Sequence, residues 1–140
     1  MSRLSSRIEA HMTKAPHSIG AEQPLTRARA MMVTNGVRHL PVLHGGKLVG
    51  ILSDRDIRVI ESIDGADLSC MTVSDAMSED VYCVPPETPL DEVVREMATH
   101  KYGSTVVASG GRIIGIFTTV DVCRSLANLL RERSNVGPTV

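Results

Sequence analysis

Aromatic side chains are nearly missing from this sequence of 140 residues, which contains no Trp, one Phe and two Tyr. A chain of this length can bury a core of ordinary domain size, and that core must therefore be built from Val, Ile, Leu, Met and Ala. The scarcity argues against single-stranded nucleic acid as a partner, because proteins that bind it stack bases on aromatic rings. Neither sign of charge dominates, since 15 Lys and Arg face 16 Asp and Glu. That balance argues against a general polyanion binder.

Cysteine is also sparse, and Cys70, Cys83 and Cys123 are far apart and form no C-x-x-C pair. The sequence shows no secretory leader and no apolar run of membrane length. Together these features predict a reduced, cytoplasmic protein without membrane contact. None of the five histidines stands at a ligand spacing with a cysteine or a second histidine, so no metal site is predicted.

An internal duplication organises the chain. The stretch G-I-L-S-D-R-D at 50–56 returns as G-I-F-T-T-V-D at 115–121, an offset of 65 residues, and the same offset places Met12 on Met77. A fixed self-similarity of this kind indicates one supersecondary unit that is used twice. Each copy is then expected to bury its apolar face against the other.

Each copy is predicted to contain an extended piece, a helix, two strands and a second helix, which makes the fold mixed α/β (α+β). In the first copy these elements lie at 17–19, 25–36, 40–43, 48–52 and from 53 to 64–65, with paired glycines between the strands. In the second copy a short helix at 73–77 precedes elements at 82–84, 90–100, 105–108, 113–118 and from about 119 to 133. The predicted repeats are 12–65 and 66–133, flanked by a helical lead-in over 1–11 and a flexible tail over 134–140.

A hydroxyl and a carboxylate recur three residues apart where a strand passes into a helix, as Ser53 with Asp56 and as Thr118 with Asp121. The first N–H groups of a helix attract anions, and a carboxylate accepts hydrogen bonds from adjacent hydroxyls. The pair therefore suits a ligand with a diol next to a phosphate. It is also the pattern of a capping box, in which the acid reaches back to the backbone and no ligand is needed. A capping box does not require the glycine that precedes each pair.

The double motif resembles a known family. Two copies of G-[IL]-x-[ST]-x-x-D, with an earlier apolar strand such as R-H-L-P-V at 38–42, are similar to a tandem pair of cystathionine β-synthase (CBS) domains, the Bateman module. The resemblance implies two pseudo-symmetric β-α-β-β-α repeats packed sheet to sheet, with two clefts for adenosine-containing ligands such as AMP, ADP, ATP or S-adenosylmethionine. It also implies a regulatory role without a catalytic cofactor.

The same resemblance assigns ligand contacts to particular residues. It implies that Asp56 and Asp121 take ribose hydroxyls and that the extended pieces at 15–18 and 81–83 hold the adenine edge. The full set of implied binding residues is Ala15, Pro16, His17, Ser18, Arg38, His39, Pro41, Ser53, Arg55, Asp56, Val81, Tyr82, Cys83, Ser104, Thr118 and Asp121.

The two copies differ in charge at the positions that would face phosphate. Arg38 and His39 match the family's basic position, where the second copy has Gly103 and Ser104. Where the first copy has Arg55 and Arg58, the second has Val120 and Cys123. A guanidinium donates two parallel hydrogen bonds to phosphate. We therefore expect a strong phosphate-dependent site near Asp56 and a weaker or empty one near Asp121.

Three functions compete at this stage. The first is a nucleotide sensor that signals its occupancy to an unidentified effector protein, and the second is a constitutive dimerisation scaffold with vestigial clefts. The third, an enzyme, has least support, because no activated nucleophile, metal set or acid–base pair stands at a recognisable spacing. The resemblance also implies a homodimer, and closed symmetric pairs are the commonest oligomers.

Overall fold

The computed structural model describes residues 6–136, and the predicted order of elements occurs twice along them. A 3-10 turn at Ile8–Ala10 and strand β1 (Thr13–Lys14) come first. The first repeat then consists of β2 (Ile19–Gly20), α1 (Leu25–Asn35), β3 (His39–His44), β4 (Lys47–Ser53) and α2 (Asp54–Glu61). After a 3-10 turn at Leu68–Cys70 and helix α3 (Val73–Ala76), the second repeat consists of β5 (Cys83–Val84), α4 (Leu90–His100), β6 (Ser104–Ser109), β7 (Arg112–Thr118) and α5 (Thr119–Val136). The prediction of a mixed α/β fold with two β-α-β-β-α repeats is confirmed.

Glycines set the ends of the elements that the sequence predicted best. Helix α1 ends at Gly36, whose φ of 62° is left-handed, a conformation that costs glycine little. The hairpin between β3 and β4 turns at Gly45 and Gly46 with φ of 57° and 79°. Two consecutive left-handed residues match the twist of the flanking strands, so this turn fixes the register of the hairpin.

The short lead-in segment that precedes each repeat in the chain pairs with a strand of the other repeat. Strand β1 pairs antiparallel with β7 of the second repeat, with Thr13 opposite Ile116. In the same way Ser78, which precedes the second repeat, forms a bridge with Ile51 of β4. The chain therefore forms two compact units: a middle unit of residues 16–81, and a composite unit that joins the chain before residue 16 to the chain after residue 81.

Each unit has its own sheet and its own apolar core. The middle unit contains the sheet β2-β3-β4 and the composite unit the sheet β1-β7-β6-β5. Side chains with no exposed surface include Leu25, Leu40, Leu52, Ile57 and Val73 in the middle unit and Ile8, Val93, Val107 and Phe117 in the composite unit. Apart from the single Phe, the fully buried side chains of both cores are aliphatic, as the composition predicts, and Tyr82 and Tyr102 pack against the core of the composite unit.

Several element ends differ from the predictions. Of the predicted lead-in helix, the described part is only the 3-10 turn, and β1 was not predicted. Helix α2 ends at Glu61 rather than near 64–65, and α5 continues to Val136, into the segment predicted as a tail. Residues 1–5 and 137–140 lie outside the described residues. The repeat boundaries and the sheet-to-sheet packing stay predictions. No helix between residues 6 and 136 is both long and apolar enough to span a bilayer.

Candidate functional site

Four of the predicted binding residues of the first repeat meet at one end of its sheet. His39, at the start of β3, lies opposite Ser53, at the end of β4. The N–H of Asp54 donates to the carbonyl oxygen of Arg38 at 2.8 Å. Because α2 begins directly after Ser53, its first turn brings Asp56 to the same end, and the charge of Asp56 acts on His39.

The other predicted residues of this repeat lie nearby or point outward. Strand β2 runs parallel to β3 with Ile19 opposite Val42, so residues 16–18 run beside the start of β3, which contains the buried Pro41. Arg55 is exposed on the first turn of α2. Ala15 belongs to the composite unit and Val81 to the middle unit, so each predicted adenine-holding piece crosses from one unit to the other.

Asp56 closes a capping box and retains one unpaired oxygen. The Ser53 N–H donates to Asp56 Oδ2 at 2.9 Å, and the Asp56 N–H donates to Ser53 Oγ at 3.1 Å. No residue between 6 and 136 donates to the second carboxylate oxygen, Oδ1, and the side chain is only half-buried. The capping box and the ligand hypothesis are therefore compatible, because they use different oxygens of one carboxylate.

Packing explains the glycine that precedes each motif. A Cβ at position 50 would lie 2.5 Å from Met77 Sδ and 2.9 Å from the Ser78 carbonyl oxygen. At Gly115 a Cβ would collide with the thioether of Met12. The duplicated Gly and Met thus belong to one packing contact. In each copy the Met of the lead-in segment lies against a strand at the glycine, where there is no side chain.

A cluster of charges lies on the helices beside this end of the sheet. Asp54 accepts from Arg29 at 2.5 Å and from Arg58 at 2.8 Å, and Arg29 also reaches Glu61 at 2.6 Å. Burial acts to raise the pKa of Asp54, but the Arg29 hydrogen bond and the charges of the nearby arginines outweigh it and hold this pKa below its ordinary value. Arg58, expected from the sequence to face a phosphate, is therefore already engaged by a carboxylate.

Arg38 differs from these arginines. It is exposed, and its guanidinium forms no hydrogen bond or ion pair with any residue from 6 to 136. It opens onto a shallow groove of about 310 Å³, lined by Arg29, Met32, Val33, Gly36, Val37, Arg38, Asp54 and Arg58. A guanidinium at the edge of a groove that forms no hydrogen bond or close ion pair with residues 6–136 is suited to an anionic group of a ligand.

The surroundings of His39 favour its neutral form. Burial is the largest influence and lowers its pKa below the ordinary value, the charge of Asp56 opposes this, and Arg38 adds to it. A neutral imidazole next to Asp56 can donate one hydrogen bond and accept another.

The second repeat places its predicted residues in the same backbone arrangement. Ser104 lies opposite Thr118, and the Val106 N–H donates to the carbonyl oxygen of Tyr82 at 2.9 Å. The ring of Tyr82 stacks on Tyr102 with centroids 5.4 Å apart. Burial raises the pKa of Tyr82, as do Glu92 and Glu96. Burial also raises the pKa of the neighbouring Cys83 thiol.

Asp121 has a different environment from Asp56. It is only 3% exposed, and both of its oxygens are occupied. Oδ2 accepts from the Thr118 N–H at 2.9 Å, and Oδ1 accepts from Arg124 Nη1 at 2.9 Å and from the Thr13 hydroxyl at 3.1 Å. Sequence reasoning missed Thr13 and Arg124 as partners. The three-residue spacing from Asp121 to Arg124 on one helix could have predicted their ion pair from the sequence. Thr13 is 108 residues away from Asp121, and no sequence pattern links the two.

No three His, Cys, Asp or Glu side chains within residues 6–136 are grouped as a metal site requires. The first repeat offers an open carboxylate oxygen of Asp56, the imidazole of His39, the hydroxyl of Ser53 and the exposed guanidinium of Arg38.

Comparison with known proteins gives consistent matches along the chain. A family model for the CBS domain matches residues 6–61 and again residues 73–128. An inosine-5'-monophosphate dehydrogenase of Korarchaeum cryptofilum (strain OPF8) is 32% identical over 123 residues, which cover 87% of this chain and 25% of that protein. The chain thus spans about a quarter of the length of this relative.

Two solved structures match over nearly their whole length. A crystal structure from Vibrio cholerae, described as an acetoin utilization protein (AcuB), superposes with a TM-score of 0.80 at 28% identity and covers 94% of this chain and 98% of that one. The crystal structure of CBSX2 in complex with AMP superposes with a TM-score of 0.77 at 24% identity, covering 88% of this chain and 97% of that one.

Proposed function

The chain belongs to the CBS domain family, and we propose that it is a regulatory module whose first repeat binds an adenosine-containing ligand. The observation that carries the proposal is the open Asp56 Oδ1 at the end of the sheet where the chain also places Arg38, whose guanidinium has no hydrogen bond with residues 6–136. The groove beside Arg38 is lined by Asp54 and Arg58 and does not include Asp56. CBSX2, which has this fold, is solved in complex with AMP. That likeness is one of fold, so the ligand class rests here on the side chains around Asp56.

The proposed roles follow from the chemistry of each group. Asp56 Oδ1 accepts the ribose hydroxyls, because an ionised carboxylate is an acceptor only. Arg38 binds phosphate, with His39 and Ser53 beside it as neutral hydrogen-bonding groups. The backbone of 16–18, next to the start of β3, contacts the adenine edge. AMP, ADP, ATP and S-adenosylmethionine all contain the adenosine that this arrangement would recognise.

A regulatory module needs an output, and we assign this to exposed helix faces. On α1 and α2, Val33 is 73% and Val59 58% exposed, and on α5 Val120 is 60% exposed. We expect these exposed apolar side chains to be among those that contact a second copy of the chain, an effector protein or both. A homodimer and an unidentified effector are therefore part of the proposal, and catalysis is not.

One observation favours a second candidate, a constitutive scaffold with vestigial clefts. The capping box at Ser53 is complete without a ligand, so the motif can serve a structural purpose alone. A thermal-shift screen with adenosine, AMP, ADP, ATP and S-adenosylmethionine separates the two functions. A ligand at 100 times its Kd stabilises the native state by about 2.7 kcal/mol, which for a chain of this size raises Tm by roughly 5–10 °C. If none of the five ligands raises Tm, the scaffold is the better description.

Arg38→Ala tests the assignment of the phosphate. A charged hydrogen bond contributes about 1.5–3 kcal/mol, so the variant is expected to lose about 10–150-fold in ATP affinity and little in adenosine affinity. The loss should shrink as salt is added, because exposed charges are screened. Arg27→Ala is the matched control, since Arg27 is an exposed cation of the same unit that does not line the groove. Equal losses for adenosine and ATP would refute the assignment.

A further inference from the structure

The two motif aspartates share a backbone geometry but not their hydrogen-bond partners. Each accepts the N–H of the hydroxyl residue three positions earlier at 2.9 Å. Beyond that bond, the described chain donates to Asp121 from three further side chains and to Asp56 from none. One of the three donors, Thr118, is the counterpart of Ser53, and the other two, Thr13 and Arg124, stand where the first repeat has Ser78 and Val59.

Thr13 is the most informative of these residues. Its hydroxyl lies 3.1 Å from Oδ1 and 3.3 Å from Oδ2 of Asp121, so it straddles the carboxylate. Two adjacent hydroxyls of a ribose would be expected to occupy the same face of a carboxylate. The residue 65 positions later, Ser78, does not do this in the first repeat: its Oγ accepts from the Asp80 N–H at 3.2 Å instead.

Arg124 is a second donor to the same oxygen, Oδ1. Its Nη1 donates to Oδ1 at 2.9 Å, and the carboxylate beneath is 96% shielded, with a side-chain exposure of 4%. The counterpart of Arg124 in the first repeat is Val59, which has no polar group to offer. Asp121 thus has no free acceptor for a ligand, whereas Asp56 retains Oδ1.

We propose that Thr13 is a specificity-determining residue whose hydroxyl substitutes for a ligand hydroxyl on Asp121. The second repeat then admits a ribose only when Thr13 is displaced, and exchange of one hydroxyl for another yields little net affinity. Strand β1 is suited to this because it is two exposed residues long and pairs only with β7 at the edge of its sheet. The inference rests on the proposed function, since it decides which repeat binds the ribose.

Calorimetry with adenosine tests the inference, because a ligand without phosphate isolates ribose and base recognition. Wild type is expected to bind one adenosine per chain. Thr13→Val removes the hydroxyl and keeps the shape, and the Arg124 side chain, which is 64% exposed, can leave Oδ1 when a ribose binds. The variant should therefore add a second binding event at least about tenfold tighter than any second-site binding in wild type. Thr13→Ser restores a hydroxyl and should behave as wild type. Asp121→Asn added to Thr13→Val should abolish the second event.

The outcomes separate this inference from the proposed function. If wild type binds one adenosine and Thr13→Val still binds one, the inference is wrong and the proposed function stands. If wild type binds none and Thr13→Val binds one, the inference holds and the assignment to Asp56 fails. Two equal sites in wild type, or no binding to any variant, would overturn the inference. Should Thr13→Val not fold, Thr13→Ala removes the same hydroxyl, and the same outcomes then decide.

Discussion

Replacing Asp56 by Ala separates the two uses of its carboxylate. Oδ2 closes the capping box of α2 through the Ser53 N–H, and Oδ1 is the oxygen that we assign to the ribose. The chain supplies an internal control, because Asp75 closes a second capping box by accepting from the Thr72 N–H at 2.9 Å. Asp75 is exposed and has no proposed contact with a ligand.

The expected magnitudes differ for the two uses. Loss of a helix cap costs about 1 kcal/mol of unfolding free energy, so Asp56→Ala and Asp75→Ala should both lower Tm by roughly 2–6 °C. Loss of a carboxylate-to-hydroxyl pair costs about 1.5–3 kcal/mol of binding free energy, which weakens adenosine about 10–150-fold. Only Asp56→Ala should show this second effect.

Melting curves and calorimetric titrations of wild type and the two variants measure both quantities. The reasoning holds if the variants melt at similar temperatures and only Asp56→Ala loses adenosine. It is refuted if Asp56→Ala binds adenosine as wild type does and melts early like Asp75→Ala, because the motif is then a cap and nothing more.

Three further outcomes are expected. Thr105→Val should raise the unfolding free energy by about 1 kcal/mol in urea titrations, because Thr105 Oγ1 is buried and has no hydrogen-bond partner in the described chain. An unchanged midpoint would contradict this. Burial depresses the pKa of His39 in the folded state, so its stabilising contribution is present above about pH 6.5 and is lost as pH falls toward the folded pKa. His39→Gln should reduce that acid-side decline, and an unchanged decline would count against it. Light scattering at micromolar concentration should give twice the chain mass of 15.1 kDa, whereas a monomeric mass would rule out the homodimer.

Much of the fold could be predicted because its signals are local. The glycines at 36 and 45–46 stop a helix and turn a hairpin through backbone angles that other residues avoid. Helix α4 was predicted from Leu90 to about His100, and it has these bounds in the structure, where it ends at a left-handed Lys101. Such features depend on a few neighbouring residues, so the sequence displays them directly.

Strand β1 could not be predicted in the same way. Two exposed residues, Thr13 and Lys14, have no periodicity, and they form a strand only because β7 presents an open edge to them. The exchange of lead-in segments is invisible for the same reason. The 65-residue offset shows that Met12 and Met77 are equivalent, but it does not tell which glycine each one covers. In the structure Met12, which precedes the first repeat, packs on Gly115 of the second, and Met77, which precedes the second repeat, packs on Gly50 of the first.

The candidate site shows where a duplication stops being informative. Shifting the chain by 65 residues superposes Asp56 on Asp121, and the structure confirms that the backbones around them match. The state of each carboxylate, however, depends on residues whose counterparts differ: Thr13 against Ser78 and Arg124 against Val59. The number of arginines near the first motif is an unreliable basis for predicting a phosphate site for the same reason, because Arg58 already forms an ion pair with Asp54. A repeat can therefore predict where an acceptor lies, but whether it is free for a ligand depends on contacts that each copy makes for itself.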